Sequence, residues 1–212
     1  TVSQQRASVA ADEGSADESG PPADAPSALR LAGVAMQAEQ VRAFGQTLKQ
    51  VSLRALSDEG GWKARFASDV AAGEFDWRHA GNGTLNAHFR HLTLGGDEAG
   101  ASAGATEDQA PPRRLPGVDI VADRFSLRGK ELGRLEVLAR NRGGAWQLEH
   151  LSIANADGKL SGSGRWQASG RQLTNLDFTL DTPDVGRFSR RLGYADAVRG
   201  GRATLEGKLS WQ

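Results

Sequence analysis

An internal repeat constrains this sequence more than any other feature. Sliding the 212-residue chain by 84 positions lays Gly33-Val34 on Gly117-Val118, Ala38 on Ala122, Gly45 on Gly129, Leu48 on Leu132, Ala55 on Ala139, Gly60 on Gly144 and Trp62 on Trp146, eight identities in thirty ungapped positions. Met36 with Ile120, Val41 with Phe125, Val51 with Leu135 and Leu53 with Val137 add apolar matches. A repeat of this length marks one supersecondary unit built twice.

Within the unit the period is two. Val118, Ile120 and Ala122 alternate with Asp119, Val121 and Asp123, and Phe125 and Leu127 alternate with Ser126 and Arg128. After a turn at Arg128-Gly129-Lys130 the chain returns through Leu132, Leu135, Val137 and Ala139 with charges between, which is the pattern of half-buried antiparallel strands. Asn141 to Gly144 reads as the next turn. Trp146, Leu148, Leu151 and Ile153 make a third strand, in which Glu149-His150 signals a bulge or a change of facing residue. A glycine-rich strand follows Asn155 to Gly158 and puts Leu160, Gly162, Gly164 and Trp166 on one face; in the fifth, Leu176, Phe178 and Leu180 share a side. The first copy is tighter, with strands at 62–66, 73–77 and 84–94. Residues 203–211 form a last strand. One helix is expected at 183–192, with Thr182 as N-cap, Pro183 at its first position and Gly193 just past its end. Its Val185, Phe188 and Leu192 share a face, leaving Arg187, Arg190 and Arg191 to water.

Two stretches stand apart. Residues 1–28 hold one basic and five acidic side chains among Ala, Ser, Gly and Pro, and read as a flexible acidic segment. Residues 95–114 are similarly poor in anchoring side chains, a low-complexity loop whose length calls for an explanation. The expected organisation is therefore an acidic segment at 1–28, a first β-meander repeat at 29–94, the loop at 95–114 and a second repeat with its short helix at 115–212. The last of these breaks off in mid-strand. That break, and the start at Thr1, suggest a piece of a longer polypeptide, with any anchor or export signal outside it.

Composition narrows the function classes. Zero cysteine removes disulfides, thiolate metal sites and cysteine nucleophiles. The charges cancel, 26 basic against 26 acidic, and the small basic excess of each repeat is no case for nucleic acid. No apolar run is long enough to span a bilayer. Only 6% of residues are aromatic, and many apolar positions are Ala or Gly. Two folds fit: an ordinary β-sandwich with a thin core, or an open, curled sheet whose apolar face is left to hold acyl chains.

Three stretches bear on that choice: Gly61-Trp62 to Leu94, FSLRGKELGRLEVLARNRGGAWQLEHLSIANADGKLSGSGRW from Phe125 to Trp166, and DFTLDTPDVGRFSRRLGYADAVRGGRATLEGKLSW from Asp177 to Trp211. They resemble the repeating region of YhdP-type proteins of the AsmA-like family, over roughly residues 31–212 without the loop. The resemblance implies an all-β fold, in which repeated antiparallel meanders form a curled, taco-like open sheet with one apolar face. It implies a segment of an inner-membrane-anchored periplasmic bridge that conducts phospholipid towards the outer membrane. Partners would be phospholipid acyl chains, neighbouring repeats of the same longer chain and envelope proteins, with no enzyme chemistry and no cofactor. On this reading the groove floor comprises Val118, Ile120, Phe125, Leu135, Val137, Leu148, Ile153, Leu160, Phe178, Leu180, Leu205 and Leu209, with Val34, Met36, Val51 and Leu53 as first-copy counterparts. Ordinary core packing is the other role open to each.

Reactive constellations are weak. His88 and His91, three apart on one strand, should face opposite ways and so not share a metal; they, His79 and His150 read as solvated. Asp119/Asp123 and Asp181/Asp184 suit turn and cap roles, and Gly162-Ser163-Gly164 lacks the strand-to-helix context of a phosphate loop or nucleophile elbow. Asn82-Gly83-Thr84 reads as a turn, and Arg187, Arg190, Arg191, Arg199 and Arg202 as solvated cations rather than headgroup contacts. Besides the lipid bridge, the alternative is a non-enzymatic envelope scaffold that binds proteins through exposed strand edges.

Overall fold

The computed structural model describes residues 32–43, 46–95, 115–142, 145–167, 173–194 and 198–211. The expected acidic segment, most of the loop at 95–114, and the corner glycines Gly45 and Gly144 lie outside them. Eleven strands are formed: β1 (Gly33–Ala43), β2 (Gln46–Asp58), β3 (Gly61–Ala67), β4 (Ala71–Arg78), β5 (Thr84–Leu94), β6 (Gly117–Leu127), β7 (Lys130–Arg142), β8 (Ala145–Asn155), β9 (Gly158–Gln167), β10 (Leu173–Thr182) and β11 (Ala203–Trp211). A single helix, α1 (Val185–Arg191), sits between the last two.

All eleven strands make one open sheet in strict chain order. The sandwich alternative fails on this order, because no second sheet exists among the described residues to cover the apolar face. Accordingly, no large side chain there is fully buried, and seven of the ten buried apolar residues are alanines. The three starting strands of each copy keep the 84-residue offset: Gly33 and Gly117, Gln46 and Lys130, Gly61 and Ala145 open equivalent strands.

Every neighbouring pair is antiparallel except one. β5 and β6 run parallel, with Thr84 beside Gly117 and Leu94 beside Leu127. A five-strand meander ends pointing the way it began, so the next copy can start in the same direction only if the chain first returns along the whole strand. That return explains the length of the segment between Leu94 and Gly117. Elsewhere the connections are short, except between β10 and β11, where α1 intervenes. At β6–β7, Arg128 (φ 49) and Gly129 (φ 72) both adopt left-handed backbone, the two-residue turn that matches strand twist.

The sheet thus has two long rims. One carries the turns at 58–61 and 78–84 and the start of β6. The other carries the turns at 67–71, 127–130 and 155–158, together with α1. Helix α1 begins two residues later than expected. Its N-cap is Asp184, whose carboxylate accepts from the Arg187 N–H at 3.0 Å. Thr182 lies in the turn before the cap, where its hydroxyl donates to the Asp157 carbonyl at 2.6 Å and accepts from the Asp184 N–H at 3.3 Å. Arg191 is likewise not left to water: it pairs with Asp157, Nη2 to Oδ2 at 2.6 Å. Gly193 occupies the expected left-handed position (φ 90).

Candidate functional site: a continuous apolar face

Cross-strand register decides which side chains meet. Directly paired residues project to the same face, so a row can be followed from edge to edge. One row reads Val34, Ala55, Ala64, Phe75, Ala87, Ile120, Val137, Leu151, Gly162, Phe178, Gly207. The next, two residues along each strand, reads Met36, Leu53, Phe66, Gly73, Phe89, Ala122, Leu135, Ile153, Leu160, Leu180, Leu205. Neither row contains a polar side chain. A third, from Trp62 through Trp77, Leu85, Val118, Ala139, Leu148, Gly164 and Leu176 to Leu209, is apolar over nine strands.

The register therefore brings all sixteen floor positions to one face. Fourteen of them lie in these three rows, Val51 follows Leu53 on β2, and Phe125 follows Ala122 on β6 beyond a bulge. Phe125 and Leu135 are only 4% and 7% exposed although no second layer covers them, because they pack along the face against Phe89, Leu92, Val137, Leu151 and Ile153. Shielding falls off at the sheet edges, where Val34 is 39% and Leu205 55% exposed. Glycines leave hollows for large neighbours: the Phe178 ring lies against Gly207, where a Cβ would collide with it.

The floor positions in β3–β5 were not named from the sequence. Phe66, Phe75, Phe89 and Leu92 belong to it, and their signal was the same alternation, in Trp62-x-Ala64-x-Phe66 and Leu85-x-Ala87-x-Phe89. In β8 the bulge expected at Glu149-His150 is present, and it keeps Leu148 and Leu151 on the same face.

The opposite face is charged. Shifting the first row by one residue gives Ala35, Arg54, Arg65, Glu74, His88, Val121, Glu136, Ser152, Ser161, Thr179, Glu206. Cross-strand pairs tie it together: Arg65 to Glu74 at 2.8 Å, Arg134 to Asp123 at 2.9 Å and Arg142 to Glu149 at 2.7 Å. The Gly60 N–H, with Arg78 and Lys63, holds the Asp58 carboxyl below its ordinary pKa, and the hydrogen bond from Arg134 does the same for Glu136. The expectation for His88 and His91 is corrected here. A bulge at Arg90 lets His88 pair with Glu74 and His91 with Ala72, which puts both on the charged face. Among the described residues no three His, Asp or Glu side chains converge, and His88 Nε2 meets Asp123 at 3.0 Å. Depressions of about 690 and 710 Å³ open on this face, the first among Arg54, Lys63, Arg65, Glu74 and Asp76, the second among Ser161, Ser163, Asp177 and Lys208. Their walls are solvent-open ion pairs and hydroxyls without a reactive arrangement.

Residues 4–212 match the family described as YhdP protein. The chain belongs to that family. No curated protein and no solved structure matches it. YhdP membership covers both copies of the repeat and the segment between them, so the sheet of eleven strands belongs to the family as a whole stretch and not to one motif. Among the described residues of this YhdP chain, no helix is long and apolar enough to cross a membrane.

Proposed function

We propose that this chain is a section of a periplasm-spanning apolar groove that conducts phospholipid between the inner and outer membranes, within a protein anchored in the inner membrane elsewhere. One observation carries the reading: two rows of eleven residues cross the whole sheet without a polar side chain. Ten strand spacings of about 4.8 Å make a path of about 48 Å, longer than the roughly 30 Å hydrocarbon core of a bilayer. An acyl chain on such a floor keeps the ~0.8 kcal/mol per buried CH₂ it would lose in water. Passage is then close to level, and no residue needs chemical reactivity. Membership of the YhdP family supports the same reading.

The partners that fit are phospholipid acyl chains on the face and neighbouring repeats of a longer chain at the outer edges of β1 and β11. The test is native mass spectrometry of the protein purified from cells in mild detergent. Phospholipid should co-purify, and photo-crosslinkers at Val137 and Phe178 should capture it while one at Val121 should not. A lipid-free protein that captures an envelope protein through its strand edges would replace the groove with a scaffold.

A further inference from the structure

Trp62, Trp77, Trp146 and Trp166 fall at one rim of the sheet and on one face, and the chain's fifth tryptophan closes β11 at the same rim. Trp62 opens β3 and Trp77 closes β4, and they are directly opposed. Trp146 opens β8 and Trp166 closes β9, and they too are directly opposed. Trp211 takes the same rim position on β11, paired with Thr174. Each copy of the repeat thus carries a tryptophan pair on its third and fourth strands, at the rim opposite α1. The indole N–H groups that have partners turn towards that rim: Trp77 donates to His79 at 3.0 Å and Trp146 to the Pro116 carbonyl at 2.9 Å. In these two residues the polar edge of the ring lies at the turns while the ring body belongs to the apolar face. At the α1 rim the same face carries Ala71, Leu92 and Phe125 instead.

We infer that the tryptophan rim is the interfacial lip of the groove, where the glycerol-ester and headgroup region of a bound phospholipid stands while its tails lie over the apolar rows. Tryptophan suits this boundary because it joins a large apolar surface to a single hydrogen-bond donor, the property that concentrates it where hydrocarbon meets water. A tryptophan pair that served only to tie strands together would need neither the shared rim nor the shared face. The inference rests on the lipid-groove reading and adds to it which way the lipid faces.

The test loads the whole chain from phosphatidylcholine vesicles that contain a nitroxide-labelled phosphatidylcholine. The label sits either on the choline headgroup or at the methyl end of one chain, and the protein–lipid complex is separated from vesicles before tryptophan emission is read. The headgroup label should remove the larger share of the emission. In a chain with all five tryptophans changed to phenylalanine and Val137→Trp introduced on the floor, the order should reverse. Equal quenching by both labels, or stronger quenching of the natural tryptophans by the chain-end label, overturns the inference while leaving the groove intact. A complex that mass spectrometry finds free of lipid overturns the groove reading, and the inference with it.

Discussion

Asp157, in the β8–β9 turn, and Arg191, in the last turn of α1, form an ion pair in which the carboxylate is 8% exposed and accepts from Arg191 Nε at 2.7 Å. Asn155 holds the turn in place, accepting from the Asp157 N–H and donating to the Leu132 carbonyl. The helix is thereby fastened to the sheet through charge rather than through a broad apolar seat. Asp157→Ala should cost about 2–3 kcal/mol, the range for a hydrogen bond to a charged group. It should also free the amides of α1 to exchange while those of β6–β8 stay protected. Urea unfolding with hydrogen exchange checks both, and an unchanged midpoint would show that the pair contributes nothing to holding α1.

Val137 and Val121 lie on neighbouring strands and opposite faces, one between Ile120 and Leu151, the other between His88 and Glu136. Val137→Asp should destabilise the chain by about 1–3 kcal/mol, because its carboxylate has no partner in the row. It should also abolish lipid co-purification. Val121→Lys sits among charges and should leave both within experimental error. Equal lipid loading in two folded variants would remove Val137 from the groove.

Glu136 titrates below its ordinary value because Arg134 hydrogen-bonds its carboxylate, with His150 adding to the effect. A folded pKa below the unfolded one means that the pairing stabilises above about pH 4.3, the ordinary glutamate value, and is lost as pH falls through the folded value. Glu136→Gln should therefore lower the melting temperature at neutral pH, and the gap should close in acid. High salt should narrow it too, since the pair is exposed. A gap independent of pH would assign the effect of Glu136 to packing.

The segment between Leu94 and Gly117 must cover the ten residue steps from Leu94 back to the level of Thr84, about 33 Å. Its 22 residues can reach about 75 Å when extended, roughly twice that distance. Removing eight of them should leave stability unchanged. Leaving only six, a span of about 25 Å, should prevent the parallel pairing. A cysteine pair introduced at Leu85 and Val118, neighbours across β5 and β6, reports the outcome by disulfide formation.

Period-two alternation marked the later strands and the repeat carried the pattern into β1 and β2, since a residue's face follows from counting along its own strand. Counting fails where a bulge intervenes. Arg90 puts His91 on the face of His88, a reversal that needs the facing strand to be seen. It is silent on caps too: Thr182 and Asp184 both have the chemistry of an N-cap, and the helix starts from Asp184 while the Thr182 hydroxyl reaches the Asp157 carbonyl, 25 residues away. The direction of β6 is a third case. It depends on where the preceding segment emerges, and alternation is the same in either direction.

The parallel pairing of β5 and β6 gives the sheet a fixed handedness of banks. An odd number of strands per copy would, without that return, swap the two banks at every junction, and Trp62 and Trp146 would then stand on opposite sides of the channel. With it, the banks run on unchanged from one copy to the next. Anything travelling across the strands can pass that seam without turning over.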